Sequence, residues 1–192
     1  MNIHTFFGYV SVVVFAAGYV PYIISILRGK TSPHPFSWLL WTVLGCVSFF
    51  LYVHVGARET LPLALGNCML PFIIVVLSLR SWRGAFSRFD YACLALSFFS
   101  ILLYAFVRSA TLALTCNLAA DLLAFLPTIR KAYMQPESED ASTWILFTVG
   151  YALSLLAIVR WTYGIAVFPL YFTILGTTIC LILIRARLKK TA

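Results

Sequence analysis

The sequence predicts an all-α membrane protein with seven transmembrane helices, arranged as two parallel three-helix repeats joined by a linker helix. Two observations carry this prediction. The composition is apolar, with 62% hydrophobic residues, 10% charged residues and a mean hydropathy of +0.95, and a pattern of residues recurs at a spacing of 106 positions. Soluble domains carry roughly 25% charged residues. A chain this apolar is expected to lie almost wholly within a bilayer.

Seven stretches are each long enough for a helix to cross the hydrocarbon core, which takes about 20 apolar residues. No Lys or Arg precedes the first stretch, and no convincing cleavage site follows it, so we expect a retained helix and not a signal peptide. The five cysteines fall within apolar stretches, without the spacing of a disulfide framework or a metal site. The predicted stretches are 5–27, 36–55, 61–79, 89–107, 111–133, 142–160 and 163–184.

The net charge of +8 is distributed unevenly among the predicted connections. Eleven basic residues fall after stretches 1, 3 and 5 or in the tail, whereas only three fall on the opposite side. Because cytoplasmic loops carry the excess of Lys and Arg, this bias predicts an amino terminus outside and a carboxyl terminus in the cytoplasm. The expected host is a bacterial inner (plasma) membrane. Topology accounts for the positive charge, so no nucleic-acid partner is expected.

The repeat is clearest around a proline inside the first and fifth stretches. The segments "YVPYIISILRG" and "FLPTIRKAYMQ" align at a spacing of 106 residues, and the same shift brings Trp38 onto Trp144. Three helices alone would invert the second copy, but a fourth, linking helix restores the original direction. The two copies are therefore expected to be parallel, as in some transporters.

These alignments divide the chain into three parts. Residues 1–80 are predicted to form the first three-helix repeat, and residues 81–110 the linker helix. Residues 111–192 are predicted to form the second repeat with a short basic cytoplasmic tail. Nearly the whole chain is assigned to lipid-embedded helices, so no soluble domain is expected.

The chain resembles the PQ-loop/SWEET superfamily of seven-helix transporters. The resemblance rests on a proline in the cytoplasmic half of the first helix of each repeat, a polar connection and an aromatic-rich second helix. It covers almost the entire chain, although the name-giving Pro-Gln dipeptide reads Pro21-Tyr22 and Pro127-Thr128 here. The resemblance implies alternating-access transport of a small polar metabolite (sugar, vitamin-like or amino-acid-like), with Pro21 and Pro127 as hinges. A static kink in each helix is the alternative for the two prolines. A ligand-binding receptor or sorting protein on the same fold, without net transport, is the alternative.

Asp121 is the only acidic residue that the sequence places away from a predicted helix end. A carboxylate at the centre of a membrane helix costs roughly 2.5–3.5 kcal/mol on insertion scales, so we expect a polar partner or a water-filled pathway beside it. Asn117 lies four residues earlier, on the same helical face. Both are predicted to line the central pathway, where Asp121 binds cargo or exchanges a proton. An interhelical hydrogen bond is the alternative for each.

Asn67 is the other strongly polar residue in a mid-membrane position. SWEET-like carriers place an asparagine on the third helix of each repeat, so the resemblance assigns Asn67 to cargo binding. The second repeat has no asparagine there and offers Tyr171 and Thr177 instead. Tyr151 lies deep in its helix, and its hydroxyl, which needs a partner, is predicted to reach the same cavity.

Three tryptophans are candidates for an aromatic lining of the cavity. Trp38, Trp41 and Trp144 lie in the aromatic-rich second helix of each repeat. For Trp38 and Trp144, near the cytoplasmic headgroups, anchoring at the membrane interface is the alternative.

No residue pattern indicates an enzyme, a cofactor or a metal centre. A retinal photoreceptor needs a lysine inside the seventh helix, and residues 163–184 contain none. His34 and His54 lack a second ligand at a suitable spacing. We expect no catalysis and no cofactor. The expected partners are a small-molecule substrate and the lipid bilayer, and the oligomeric state, including a homo-oligomer, is left open.

Overall fold

The computed structural model describes residues 2–29, 35–79 and 88–191, apart from the side chains at 35–37, 90, 127, 131, 138 and 189–191. Within these ranges the chain forms seven α-helices and a short 3-10 helix, Pro136–Ser138, which confirms the all-α prediction for this part of the chain. The α-helices are α1 (Ile3–Leu27), α2 (Pro35–His54), α3 (Leu61–Ser78), α4 (Arg88–Val107), α5 (Ala110–Met134), α6 (Ala141–Leu156) and α7 (Tyr163–Thr191).

Four of the helices are long and apolar enough to cross a membrane. They are α1, α3, α5 and most of α7, as judged by length and composition over the described residues. The helices α2, α4 and α6 are apolar over shorter stretches. Large apolar side chains cover the outer faces of the helices; Phe106, for example, is 85% exposed. Lipid tails are the natural cover for such faces, so these four helices indicate a membrane protein.

Side-chain caps and one glycine fix where several helices begin and end. Asn2 caps α1 by accepting a hydrogen bond from the His4 N–H (2.7 Å), and Asp140 caps α6 by accepting from the Thr143 N–H (3.0 Å). These contacts satisfy backbone donors that a helix start leaves without partners. Gly29 follows α1 with a φ of 67°, a left-handed conformation that glycine adopts without steric cost.

The helices pack as two groups with the same internal arrangement. α3 packs against both α1 and α2, and α7 packs against both α5 and α6. The groups meet where α1 packs on α6 and where α2 packs on α5. α4 lies outside this arrangement, against α5 and α2. The two groups therefore have equivalent main packing contacts. In these contacts α1 corresponds to α5, α2 to α6 and α3 to α7.

Pro21 lies inside α1, which continues without a break to Leu27. Pro127 occupies a position within α5, and its side chain is outside the described part of the structure. A proline removes one backbone hydrogen bond from a helix, and neighbouring helices in a membrane repair such damage. The hinge role of both residues stays a prediction.

Gly45 lets α2 approach the backbone of α3. A Cβ atom added at Gly45 would lie 2.6 Å from the carbonyl oxygen of Asn67. Real Cβ atoms do not approach this closely, and the obstacle is backbone, which cannot rotate away. The two helices are therefore held at a spacing that only glycine permits at this position.

The substitution Gly45→Ala should destabilise the protein by about 1–3 kcal/mol, the usual cost of overpacking. Thermal unfolding in detergent, followed by circular dichroism, would measure the effect. Val53→Ala on the exposed face of the same helix serves as the control, because Val53 is 43% exposed and its truncation opens no buried space. Equal unfolding temperatures for the two variants would contradict the close approach.

Candidate functional site

A cavity of about 350 Å³ lies where the two groups of helices meet. All the α-helices except α4 contribute side chains to its lining. It runs from Asp121, which is only 5% exposed, to the partly exposed Glu139 and Asp140 beside the start of α6. Ligand pockets in proteins span about 300–1,000 Å³, so the cavity has room for a small metabolite.

Aromatic rings in contact with one another form much of the cavity wall. The ring of Trp41 lies 5.3 Å from Trp38 and 5.7 Å from Phe125, between centroids. Phe125 lies 5.6 Å from Trp144, which in turn lies 6.1 Å from Phe147. The structure thus places all three predicted lining tryptophans in the cavity wall, on α2 and α6.

Asp121 lines the cavity from α5 and is positioned by α7. The Tyr171 hydroxyl donates a hydrogen bond to Asp121 Oδ2 over 2.8 Å. Tyr171 is not part of the lining. It supports the carboxylate from behind, whereas the sequence analysis expected it to contact cargo directly.

Asn67 and Tyr151 face the same cavity and bond to each other. The Tyr151 hydroxyl donates to Asn67 Oδ1 over 2.5 Å, which links α6 of one group to α3 of the other. The Tyr151 ring stacks on Phe172, with centroids 4.6 Å apart and planes inclined by 14°. The structure thus brings these two predicted residues together in a polar contact between the two groups of helices.

The structure places Asn117 outside the cavity, in the packing of α5 against α2 and α4. Its amide Nδ2 donates to the Leu44 carbonyl (3.0 Å) and to Ser48 Oγ (2.8 Å), and its Oδ1 accepts from Ser97 Oγ (2.7 Å). The side chain is fully buried. Asn117 does share a helical face with Asp121, but it lies one turn deeper, beyond the cavity's end.

Thr177 also lies outside the cavity. It is on the exposed side of α7, while its neighbour Gly176 lines the cavity. One residue along a helix turns the side chain by about 100°. Thr177 therefore lies at the depth of the cavity on α7, as predicted, but on a different face of the helix.

Polar groups gather where the cavity meets the start of α6. Glu139 Oε2 accepts a hydrogen bond from Trp144 Nε1 over 3.0 Å. Asp140, the α6 cap, accepts from Ser142 Oγ and the Thr143 N–H, and such hydrogen bonds favour the ionised carboxylate. Thr143 also lines the cavity. Its hydroxyl oxygen is buried and makes no hydrogen bond to any described group.

The opposite end of the helices is closed by packed and hydrogen-bonded side chains. Tyr52 is fully buried; its hydroxyl donates to the Ile165 carbonyl (2.6 Å) and lies 2.8 Å from Thr60 Oγ1. Its ring stacks on Phe168 at 4.9 Å. Phe168 lies one turn beyond Phe172 of the cavity wall. The cavity therefore extends toward one end of the bundle, and the Tyr52 contacts block the other.

Many lining residues occupy equivalent positions in the two groups. Tyr19 and Phe125 are the clearest examples that sequence reasoning missed, although each lies one turn after a position already considered. Helical periodicity could have predicted both residues, because residues four apart share a helical face. The lining pairs spaced by 106 residues are Phe15 with Asp121, Tyr19 with Phe125, Tyr22 with Thr128, Trp38 with Trp144, and Trp41 with Phe147.

Comparison with protein-family models, with curated proteins and with solved structures found no match to this chain. Within the described residues, no cluster of three His, Cys, Asp or Glu side chains is arranged to hold a metal ion.

Proposed function

We propose that the protein is a membrane transporter that moves a small polar molecule by alternating access between two three-helix bundles. The observation that carries the proposal is the one-sided cavity. It lies where two similarly packed groups of helices meet, it reaches the Glu139 and Asp140 end, and it is blocked at the Tyr52 end. A carrier caught in one of its two states has this geometry.

The proposed architecture is the parallel arrangement of three, one and three helices, with residues 1–80 and 111–192 as the repeats. Three observations support it. The main packing pairs exchange between the two groups. α1 and α5 each contain 25 residues. Lining residues on α1 and α5 also occur in pairs 106 positions apart. Such repeats related by an axis along the membrane normal are a known transporter design.

The proposed orientation places the carboxyl terminus and the Glu139 end of the cavity in the cytoplasm. Its support is the excess of basic residues in connections on that side. Pro21 and Pro127 are proposed as hinges in the first helix of each bundle. Pro21 lies immediately before Tyr22, a lining residue, so bending there changes the width of the cavity directly.

Asp121 is proposed to link transport to protons. It is a buried carboxylate in the cavity, and a lone charge within a membrane is costly unless it is neutralised. A proton or a positively charged group of the cargo would neutralise this carboxylate. Asp121 thus gives the carrier a carboxylate whose neutralisation, by a proton or by the cargo, can be coupled to closure of the cavity.

Accessibility from both sides of the membrane tests the transport proposal. In a background with the five native cysteines replaced, Thr148→Cys introduces a thiol into the cavity wall. A membrane-impermeant thiol reagent, added to one side of reconstituted vesicles at a time, should modify this thiol from either side. Leu122→Cys on the outer face of α5 is the matched control, since lipid should shield it from both sides. Modification of Thr148→Cys from one side only would instead favour a receptor without net transport.

Tyr52→Phe should shift the protein toward the state that opens at the Tyr52 end. The variant loses the hydrogen bond to the Ile165 carbonyl and the contact with Thr60. Of these two contacts, only the bond to Ile165 joins the two groups of helices, since Thr60 belongs to the same repeat as Tyr52. Interhelical hydrogen bonds in membranes average about 0.6 kcal/mol, so losing it should raise far-side modification of Thr148→Cys about threefold. Tyr163→Phe, which removes an exposed hydroxyl near Thr115, is the control. An unchanged rate would show that Tyr52 does not hold the closed end.

A further inference from the structure

Negative charge is concentrated in the cavity although the protein as a whole is basic. The chain has six Asp and Glu residues against fourteen Lys and Arg. Three of the six acidic residues, Asp121, Glu139 and Asp140, line the cavity. Among the Lys and Arg side chains that the structure describes, none lines it. The electrostatic potential from the described residues that line the cavity therefore favours a positively charged ligand.

The aromatic side chains of the cavity wall also favour a positively charged ligand. Trp38, Trp41 and Trp144 line the cavity together with Tyr and Phe rings. The face of an aromatic ring carries negative charge and attracts cations, and tryptophan does so most strongly. Aromatic cages of this kind recognise quaternary ammonium groups. Carboxylates and aromatic rings that line one cavity together favour a cation whose charge is surrounded by apolar surface.

We propose that the cavity binds a small organic cation, with its charged group near Asp121 and its apolar body against the tryptophan rings. This inference rests on the proposed function and names the class of cargo for the same site. The volume of about 350 Å³ limits the cation to the size of a small metabolite.

Other classes of ligand fit the lining less well. An anion would meet three acidic side chains and no described basic one. A sugar needs several paired donors and acceptors, but the Asn67 carbonyl and the Tyr151 hydroxyl already bond to each other.

The test compares ligands of the same shape and different charge. Choline, its neutral isostere 3,3-dimethylbutan-1-ol and the anion 3,3-dimethylbutanoate would be titrated calorimetrically into the purified full-length protein in detergent. Tetramethylammonium and benzyltrimethylammonium extend the range of cation size. We expect at least one cation to bind, and we expect choline to bind about tenfold or more tightly than the neutral alcohol.

Two variants locate the site, and one serves as a control. Asp121→Asn and Trp144→Leu should each raise the Kd for the tightest cation about tenfold. Glu137→Gln should leave the Kd unchanged, because Glu137 is an exposed residue of the 3-10 helix and lies outside the cavity lining. The comparison of choline with its isostere uses the unaltered protein, so it is decisive even if a variant fails to fold.

The inference is overturned if no cation binds at about 10 mM, beyond the range of weak millimolar affinities. Equal or tighter binding of the neutral alcohol or the anion overturns it as well. Its failure differs from failure of the transport proposal. Two-sided modification of Thr148→Cys without a cation preference keeps transport and rejects the cation, and the reverse pattern keeps the cation site and rejects transport.

Discussion

Replacing Asp121 by Asn should abolish accumulation driven by a pH gradient while leaving exchange of cargo at saturating concentration. The amide has the shape of the carboxylate, and its oxygen can still accept the Tyr171 hydrogen bond. It cannot take up or release a proton. The helices can continue to move, but their movement no longer depends on protonation of residue 121. An imposed pH difference therefore does not drive accumulation of the cargo.

Labelled choline in reconstituted vesicles provides the measurement. Accumulation after a pH jump and exchange without a gradient would be recorded for the natural protein, for Asp121→Asn and for the control Glu137→Gln. We expect Asp121→Asn to lose only the first activity, provided that choline exceeds its raised Kd. Undiminished accumulation in Asp121→Asn would rule out Asp121 as the coupling residue.

Replacing Asn117 by Ala should be among the most destabilising single changes in the protein. The side chain is fully buried and joins α5 to α2 and α4 through three hydrogen bonds. At about 0.6 kcal/mol for each bond within a membrane, with added cost for the polar groups left behind, the loss should be about 2 kcal/mol. The Tm in detergent should fall by several degrees.

Ser11→Ala is the matched control for Asn117→Ala. Ser11 is the equivalent residue 106 positions earlier and is also fully buried. Among the residues that the structure describes, its hydroxyl bonds within its own helix alone, to the Gly8 carbonyl at 2.7 Å. We expect a small change in Tm for Ser11→Ala. A comparable fall in Tm for both variants would show that the three hydrogen bonds of Asn117 stabilise the protein no more than the single intrahelical bond of Ser11.

Asp121 and Asn117 show how far sequence reasoning reaches into a membrane bundle. Both were predicted to avoid lipid, and both are buried, because the cost of a polar group in hydrocarbon is a property of the residue itself. Helical periodicity also placed them on one face. It could not show that the cavity ends between them, since that depends on which side chains of α2 and α4 pack against this face.

The helices themselves were largely predictable, and their details were not. Apolar length predicted seven helices close to those observed in the described residues, because a helix satisfies its own backbone in lipid. The 3-10 helix at Pro136–Ser138 was not predicted, since three residues in a polar connection give no periodic signal. Thr177 was assigned to the cavity as a polar replacement for the asparagine that the resemblance implies on the third helix of each repeat, and a one-residue difference in rotation places it outside.

The tryptophans of the cavity make the protein its own optical reporter. Of the five tryptophans in the chain, Trp38, Trp41 and Trp144 surround the space that a ligand would fill. Trp161, 67% exposed, lies far from it, near the start of α7. Ultraviolet-excited emission should therefore change in intensity and wavelength when the cavity fills, and occupancy can be followed in real time without a fluorescent label.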